Sequence, residues 1–293
     1  MNLPTEGASR LEGKPPKVSI IVTAYNRGAC LSSTLDSLLS QTFGDFELLL
    51  CDDVSADETE AVGRDYAARD SRVVYHRNVR NLGMPGNLNE GIRRCKGTFI
   101  ANLHDGDTFE PDLINKWKRA LEQYPTAAFV FNQYRALKKG GETAAVHSES
   151  LPPVFPGDQL LEEIFFRRWL FDSPVWGTVM ARKTAYLGAG LFDPRFGCVA
   201  DIDMWMRLAE NHAVAYIQEP LIRLAPRETV PGNFVIPTNL VRRIYWESRL
   251  RHYRGRTLRL AAEVGRHAAY SLASRTYFGA CSLKAAALKA LRP

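Results

Sequence analysis

The stretch Asn102-Leu103-His104-Asp105-Gly106-Asp107 holds the chemistry around which the chain is organised. Asp105 and Asp107 stand two residues apart and follow an apolar run, Thr98-Phe99-Ile100-Ala101. Where an extended segment enters a turn, that spacing aims both carboxylates at one point. Gly97 and Gly106 allow sharp turns at either end. Two converging carboxylates repel each other unless a cation sits between them. A hard divalent ion, Mg²⁺ or Mn²⁺, suits all-oxygen ligands, and its open positions suit a diphosphate. Taken alone, the tripeptide also reads as a solvated Asp-Gly turn. The elements that lead to it decide between the two.

Residues 17–24 form a β-branched run that reads as a buried strand, closing on the turn Tyr25-Asn26-Arg27-Gly28. Leu31, Leu35, Leu38 and Leu39 then recur at helical spacing. A second apolar run, 46–51, ends at Asp52-Asp53, and 55–70 reads as a helix capped by Asp57 or a near neighbour. Residues 72–76 form a third strand, 81–87 a loop and 88–95 a helix, and the strand carrying the carboxylates follows. This β-α alternation predicts an α/β fold: a mostly parallel sheet with helices on both faces. Ligands of such sheets bind beyond the carboxyl ends of the strands. Three polar clusters fall there: Thr23-Ala24-Tyr25-Asn26, Asp52-Asp53 and Asp105-Gly106-Asp107. A nucleotide would meet an aromatic face from Tyr25, an acceptor from Asp53 and a metal on the aspartates. The chain has no Gly-x-Gly-x-x-Gly and no Gly-Lys-[Ser/Thr] loop, which argues against a dinucleotide dehydrogenase and a P-loop NTPase.

The runs 17–26, Ser40-Gln41-Thr42-Phe43, 46–55, Asn81-Leu82-Gly83 and Lys96-Gly97 occur in that order. The chain thereby resembles the family 2 glycosyltransferases over residues 17 to about 225. The resemblance implies a GT-A, Rossmann-like fold, a nucleoside-diphosphate sugar donor (UDP-sugars being the commonest) and inverting transfer to an acceptor hydroxyl. It implies that Thr23, Tyr25 and Asp53 bind the nucleoside, with Ala24 and Asn26 in the same donor-binding turn. Asp105 would meet the ribose or the metal, and Asp107 would complete the metal-binding Asp-x-Asp motif with Mn²⁺ or Mg²⁺. Many members carry another acidic residue where Gly106 stands, which leaves the metal register open by one position.

A second stretch, Val199-Ala200-Asp201-Ile202-Asp203-Met204-Trp205-Met206-Arg207-Leu208, resembles the family's Glu-Asp-x-Asp-x-Trp-x-Arg helix start. By that resemblance Asp201 is the catalytic base, and Ala200 replaces an acid. A helix N-terminus would hold Asp201 ionised, ready to take a proton from an acceptor hydroxyl. An N-cap is the alternative role. Asp203 and Arg207, four residues apart, read as a structural pair. The family often closes on the diphosphate with an Arg-x-His segment. Here the run is Arg223-Leu224-Ala225-Pro226-Arg227, and Arg227 takes that place as a donor-binding residue. Ala200 and the missing histidine motivate a second reading, a nucleotide-sugar-binding protein without transfer activity. A sugar-1-phosphate nucleotidyltransferase is disfavoured because a Gly-rich N-terminal loop is absent.

At 293 residues, 45% hydrophobic and 24% charged, the composition is that of a globular protein. The N-terminal 16 residues read as a flexible tail, 17–228 as the transferase domain and 229–293 as a basic helical extension. Phe165, Phe166, Trp169 and Phe171 lie in a helix predicted at 159–171, as core or as a wall for a sugar or lipid. Five scattered cysteines without a Cys-x-x-Cys pair favour a reducing cytoplasm, and no apolar run is long enough to span a membrane. Residues 222–293 hold 14 Lys+Arg and 3 Asp+Glu, a local charge of +11; the preceding 221 hold 24 and 29, or −5. The basic end, with Tyr245, Trp246 and Tyr253 among its arginines, fits an anionic membrane face presenting a saccharide or lipid-linked acceptor, or a solvated helical cap. No nucleic-acid module is recognisable, so nucleic acid is not an expected partner.

Overall fold

The structure, a computed structural model, describes residues 14–138, 141–145, 151–166, 175, 177–225 and 237–254. Arg227, the tails 1–13 and 255–293, and the side chains of Phe165, Phe166, Trp169 and Phe171 lie outside the described residues. The chain divides into two compact units, 1–244 and 245–293.

The first unit is built on the expected α/β alternation. Strand β1 (Val18–Ala24) leads to α1 (Gly28–Leu39), β2 (Phe46–Asp52), α2 (Thr59–Arg69), β3 (Val73–Arg77), α3 (Gly83–Arg94) and β4 (Phe99–His104). There follow β5 (Thr108–Phe109), α4 (Leu113–Gln123), β6 (Ala127–Lys138), β7 (Gly141–Ala145), β8 (Val154–Pro156) and α5 (Gly157–Phe166). The set closes with β9 (Val179–Arg182), α6 (Lys183–Ala189), a 3-10 segment (Pro194–Val199), α7 (Ala200–Ala209) and β10 (Ala213–Leu224). Helix α8 is Thr238–His252.

The sheet runs β3-β2-β1-β4-β9-β6-β10-β5, with β7 on β6 and β8 on β10. The pairs β3/β2, β2/β1, β1/β4 and β6/β10 are parallel, and β9 enters antiparallel between β4 and β6. Every residue of β2, and all of β1 but Thr23, is buried. Their sequences therefore carry unbroken apolar runs, 20–22 and 48–51, rather than alternating. The chain order reverses at β1, whose neighbours are β2 and β4, so a crevice opens where the carboxyl ends of β1 and β4 part. The register puts Thr23 beside both His104 and Cys51, and Ala24 beside Asp52. The three polar clusters foreseen in the sequence thus meet on one edge.

Two helix starts differ from expectation, each because a side chain supplies the amide acceptors. Residues 83–87 are helical rather than loop: Asp53 Oδ1 accepts from Leu82 N at 2.8 Å and Asp53 Oδ2 from Gly83 N at 2.8 Å, so α3 starts earlier. Helix α2 starts late, at Thr59, because Asp57 Oδ1 accepts from Thr59 N at 3.0 Å. Asp57 Oδ2 also accepts from Gly28 N at 2.9 Å, so one carboxylate serves the first turns of α1 and α2.

Helix α7 is held by aromatic packing and one ion pair. Trp205 is buried, with its ring 5.6 Å from Phe129, 5.7 Å from Phe192 and 6.2 Å from Tyr186. Arg207 Nε donates to the buried Asp203 Oδ2 at 2.7 Å, and its other nitrogens donate to the carbonyls of Ala189 and Leu191. The Asp203–Arg207 pair is scaffold, as its spacing predicted, and it fixes the N-terminus that carries Asp201.

Candidate active site

Tyr25 stands on the crevice lip with 53% of its surface exposed, free to face a planar ligand. Thr23 is half-buried. The Ala24 side chain is buried, and its carbonyl accepts from Asp53 N at 2.9 Å. Asn26 has a left-handed backbone, φ 54°, a conformation asparagine tolerates. Its amide donates to Ser55 Oγ at 2.9 Å and its Oδ1 accepts from Ala56 N at 2.8 Å, so Asn26 ties the β1–α1 turn to the β2–α2 turn.

Asp53 is buried, and its carboxylate accepts from Asn78 Nδ2 (2.9 Å) besides the two α3 amides. A carboxylate has about four acceptor directions, so roughly one is left for a ligand. Asp52 is fully buried and bonded by Ser55 N, Tyr75 Oη and Arg77 Nη1. Burial pushes its carboxyl up, and the bonds from Ser55, Tyr75 and Arg77 outweigh that and hold it below the usual range. Val54 has φ 68°, a strained value for a β-branched residue, stored next to the buried Asp53.

The carboxylates after β4 have different surroundings. Gly106, φ +88°, turns the chain between them. Asp105 reaches the buried Arg27, whose Nε donates to Asp105 Oδ2 at 3.0 Å. Burial raises the Asp105 carboxyl and the Arg27 cation opposes it, with a net upward shift. Asp107 Oδ1 accepts from Ala225 N at 2.8 Å, just past the end of β10. Its Oδ2 is buried with no hydrogen-bond partner. Burial pushes Asp107 up to about 7, with the Ala225 amide lowering it and Asp105 raising it. Thr34 of α1 steadies the turn: its Oγ1 donates to Asp107 O at 2.8 Å and accepts from Gly106 N at 2.9 Å.

Asp201 joins the same place from α7. An added Cβ at Gly177 would meet His104 Cε1 at 2.4 Å, His104 Nε2 at 2.6 Å and Asp201 Oδ2 at 2.9 Å, so imidazole and carboxylate share one small space. Asn102 Nδ2 of β4 donates to Gly177 O at 3.0 Å and holds the close approach. Asp201 Oδ1 accepts from Ile202 N at 2.9 Å, within its own first turn. The cap position is Val199, without a side-chain bond. The helix dipole does not dominate Asp201: burial pushes it up to about 6, against the amides of Ile202 and Asp201 that lower it. A carboxylate near 6 is a stronger base than an ordinary aspartate at neutral pH.

The structure therefore places Thr23, Ala24, Tyr25, Asn26, Asp53, Asp105, Asp107 and Asp201 around one edge. It adds Arg27, His104, Thr34 and Gly177, whose roles depend on partners distant in the sequence. Among the described residues no group of three or more His, Cys, Asp or Glu is arranged to hold an ion. The buried, unpartnered Asp107 Oδ2 nevertheless fits a divalent ion of the kind held by one or two carboxylates together with substrate phosphates.

Comparison with known proteins places this edge in context. EpsE of Bacillus subtilis (strain 168), assigned by name to the glycosyltransferases, is 30% identical over 220 residues, covering 71% of this chain and 73% of EpsE. Chondroitin synthase of Escherichia coli is 24% identical over 196 residues, 67% of this chain and 27% of that protein. Among solved structures, residues 1–349 of TarS from S. aureus in complex with UDP-GlcNAc align with TM-score 0.59 at 18% identity, over 80% of this chain and 66% of that one. The mannosyltransferase PcManGT of Pyrobaculum calidifontis, in complex with GDP-Man and Mn²⁺, aligns with TM-score 0.53 at 15% identity, over 92% and 81%. This chain thus spans just under two thirds of the solved TarS fragment and about a quarter of chondroitin synthase. The two structural likenesses are likenesses of fold, and they agree with the GT-A architecture. The model of glycosyl transferase family 2 matches residues 19–182, more than half of the chain, and the chain belongs to that family.

Proposed function

We propose that this transferase moves a sugar from a nucleoside-diphosphate donor to an acceptor hydroxyl with inversion at the anomeric carbon, in a metal-dependent reaction. The observation that carries the proposal is the convergence at Gly177 of Asp201 with His104, the last residue of β4, three residues before Asp107. The nucleoside lies on Tyr25, with Thr23 and the remaining acceptor direction of Asp53 reading its base, and Asp105 meets the ribose. UDP-sugar is the leading donor, since a relative in fold is complexed with UDP-GlcNAc, and GDP-sugar the alternative from the GDP-Man complex.

Asp201 accepts the proton of the acceptor hydroxyl as that oxygen bonds to the anomeric carbon. The bond to the diphosphate breaks on the opposite face, and the diphosphate leaves with the electron pair. Asp107 would hold the divalent ion, which would supply counter-charge to the departing diphosphate. Arg27 holds Asp105 in place and adds positive charge at the same turn. Arg227 is the proposed further donor contact.

The acceptor is a saccharide or lipid-linked saccharide, and the basic extension 229–293 holds the protein at an anionic membrane face. In the second unit, Trp246 and Leu250, one helical turn apart on α8, are 45% and 41% exposed, and Arg254 is exposed beyond them. Exposed apolar groups on one face, with a basic group just past the helix end, suit an interfacial helix. No helix of the described residues is long and apolar enough to cross a membrane.

Incubation with UDP- and GDP-sugars, with Mn²⁺ or chelator, tests the reaction by nucleoside diphosphate release and by the product's anomeric configuration. Metal-dependent release with an inverted product is expected. Nucleotide-sugar binding without release under a broad acceptor panel would leave a binding protein instead.

A further inference from the structure

Residues 104 and 107 flank the Gly106 turn, while Asp105 between them is drawn to Arg27 at 3.0 Å. The pair left facing each other is His104 and Asp107. His104 Nδ1 stands 3.9 Å from Asp107 Oδ2, the oxygen buried without a hydrogen-bond partner. That gap is too long for a hydrogen bond. An ion about 2.1 Å from each atom bridges gaps up to about 4.2 Å.

The other side of the ring is compatible with this. A ligating Nδ1 requires the proton on Nε2. Nε2 faces the space at Gly177 that Asp201 Oδ2 also faces. Metal-bound imidazoles commonly direct their second N–H towards a carboxylate, which sets the tautomer. The ring keeps 39% of its side-chain surface open, so a ligand can reach it.

We propose that His104 Nδ1 and Asp107 Oδ2 together hold the divalent ion of this site, a nitrogen–oxygen pair in place of the two-aspartate clamp. The proposal rests on the metal-dependent reading of the site given above. Imidazole nitrogen suits first-row transition ions better than Mg²⁺, so the pair selects Mn²⁺ over Mg²⁺. It also places one imidazole between the ion and Asp201.

The test is pulsed electron paramagnetic resonance of Mn²⁺ bound to the full chain with uridine diphosphate, and in parallel with guanosine diphosphate. Calorimetry gives the affinities. The parent protein is expected to show a nitrogen hyperfine coupling on the bound Mn²⁺. His104→Asp keeps a ligand of oxygen type; it is expected to lose the coupling, retain Mn²⁺ within about threefold and bind Mg²⁺ relatively better. His104→Phe, checked for folding by circular dichroism, is expected to weaken Mn²⁺ about tenfold or more. A parent spectrum without the coupling, or a coupling that survives in His104→Asp, overturns the proposal. If such Mn²⁺ is still lost in Asp107→Asn, the metal-dependent reading stands without His104. Absence of Mn²⁺ binding with either nucleotide overturns both.

Discussion

At the scale of the residue, the two carboxylates that matter most are those that burial has made costly. Asp201, pushed up to about 6, is protonated below that pH and cannot accept a proton there. Transfer should therefore rise with pH through about 6 and level off above it. Asp201→Asn should retain donor affinity and lose about 10²–10⁴-fold in turnover. Nucleotide titration beside a kcat–pH profile checks this, and near-normal turnover in the variant would reduce Asp201 to a first-turn hydrogen-bond acceptor. Asp107 carries a stability cost of the same origin. With its carboxyl raised to about 7, the folded protein holds a proton that the unfolded chain has released from about pH 4 upwards. Stability falls as pH rises across that window, and the full cost stands above it. Asp107→Asn removes the charge, so without metal the variant should be more stable near pH 8, by up to about 4 kcal/mol, and little changed near pH 4. Thermal melts at the two pH values measure it; equal midpoints near pH 8 would mean that the carboxylate is already compensated.

At the scale of the element, the site depends on where helices begin and how closely strands approach. Asp53 and Asp57 set the starts of α3, α1 and α2 through backbone amides, which binds the carboxyl edge of the sheet to the helix layer. Strand β9 pairs with β4 from Phe99↔Arg182 to Asn102↔Val179, and Asn102 holds Gly177 just ahead of β9. That pairing leaves no room for a side chain at 177, because a Cβ there falls 2.4 Å from His104 Cε1. Gly177→Ala should turn the His104 ring and shift Asp201, costing about a hundredfold in turnover. The clash meets side-chain atoms, so the stability loss should stay within about 1–3 kcal/mol. Turnover and denaturant unfolding measured on the same preparation separate the two, and an unimpaired enzyme would show that the convergence at Gly177 has no part in transfer.

At the scale of the whole molecule, charge is divided along the chain: −5 over the first 221 residues and +11 over the rest. Several basic groups near an anionic surface contribute about 1 kcal/mol each, enough together for reversible attachment. Exposed Trp246 and Leu250 add apolar contact. The full chain should sediment with anionic vesicles at low salt and be released at high salt, since screening shortens the attraction. Trp246→Ala should weaken vesicle binding without altering donor hydrolysis. Equal binding to neutral and anionic vesicles, or none to either, would make the extension a structural cap and remove the argument for a lipid-linked acceptor.

The amino-acid sequence by itself determined the strands that are buried on both faces. Within residues 18–24, 46–52 and 99–104 the unbroken apolar runs 20–22, 48–51 and 99–101 reflect a sheet covered from both sides, and that shows without any partner in view. It also determined which polar residues follow those strands, and so the edge on which they gather. Tertiary structure alone decided what each residue there meets. Strand β9 has four residues, and its antiparallel place between β4 and β6 is set by pairing with segments far along the chain. Asp105 and Asp107 look equivalent in sequence, yet Arg27 engages one and Ala225 N meets the other, leaving one buried oxygen unpartnered. Asp201 reads as a dipole-stabilised carboxylate from its place at a helix start, whereas enclosure pushes it the other way. Desolvation is a property of everything packed around a group, and no local stretch of sequence contains it.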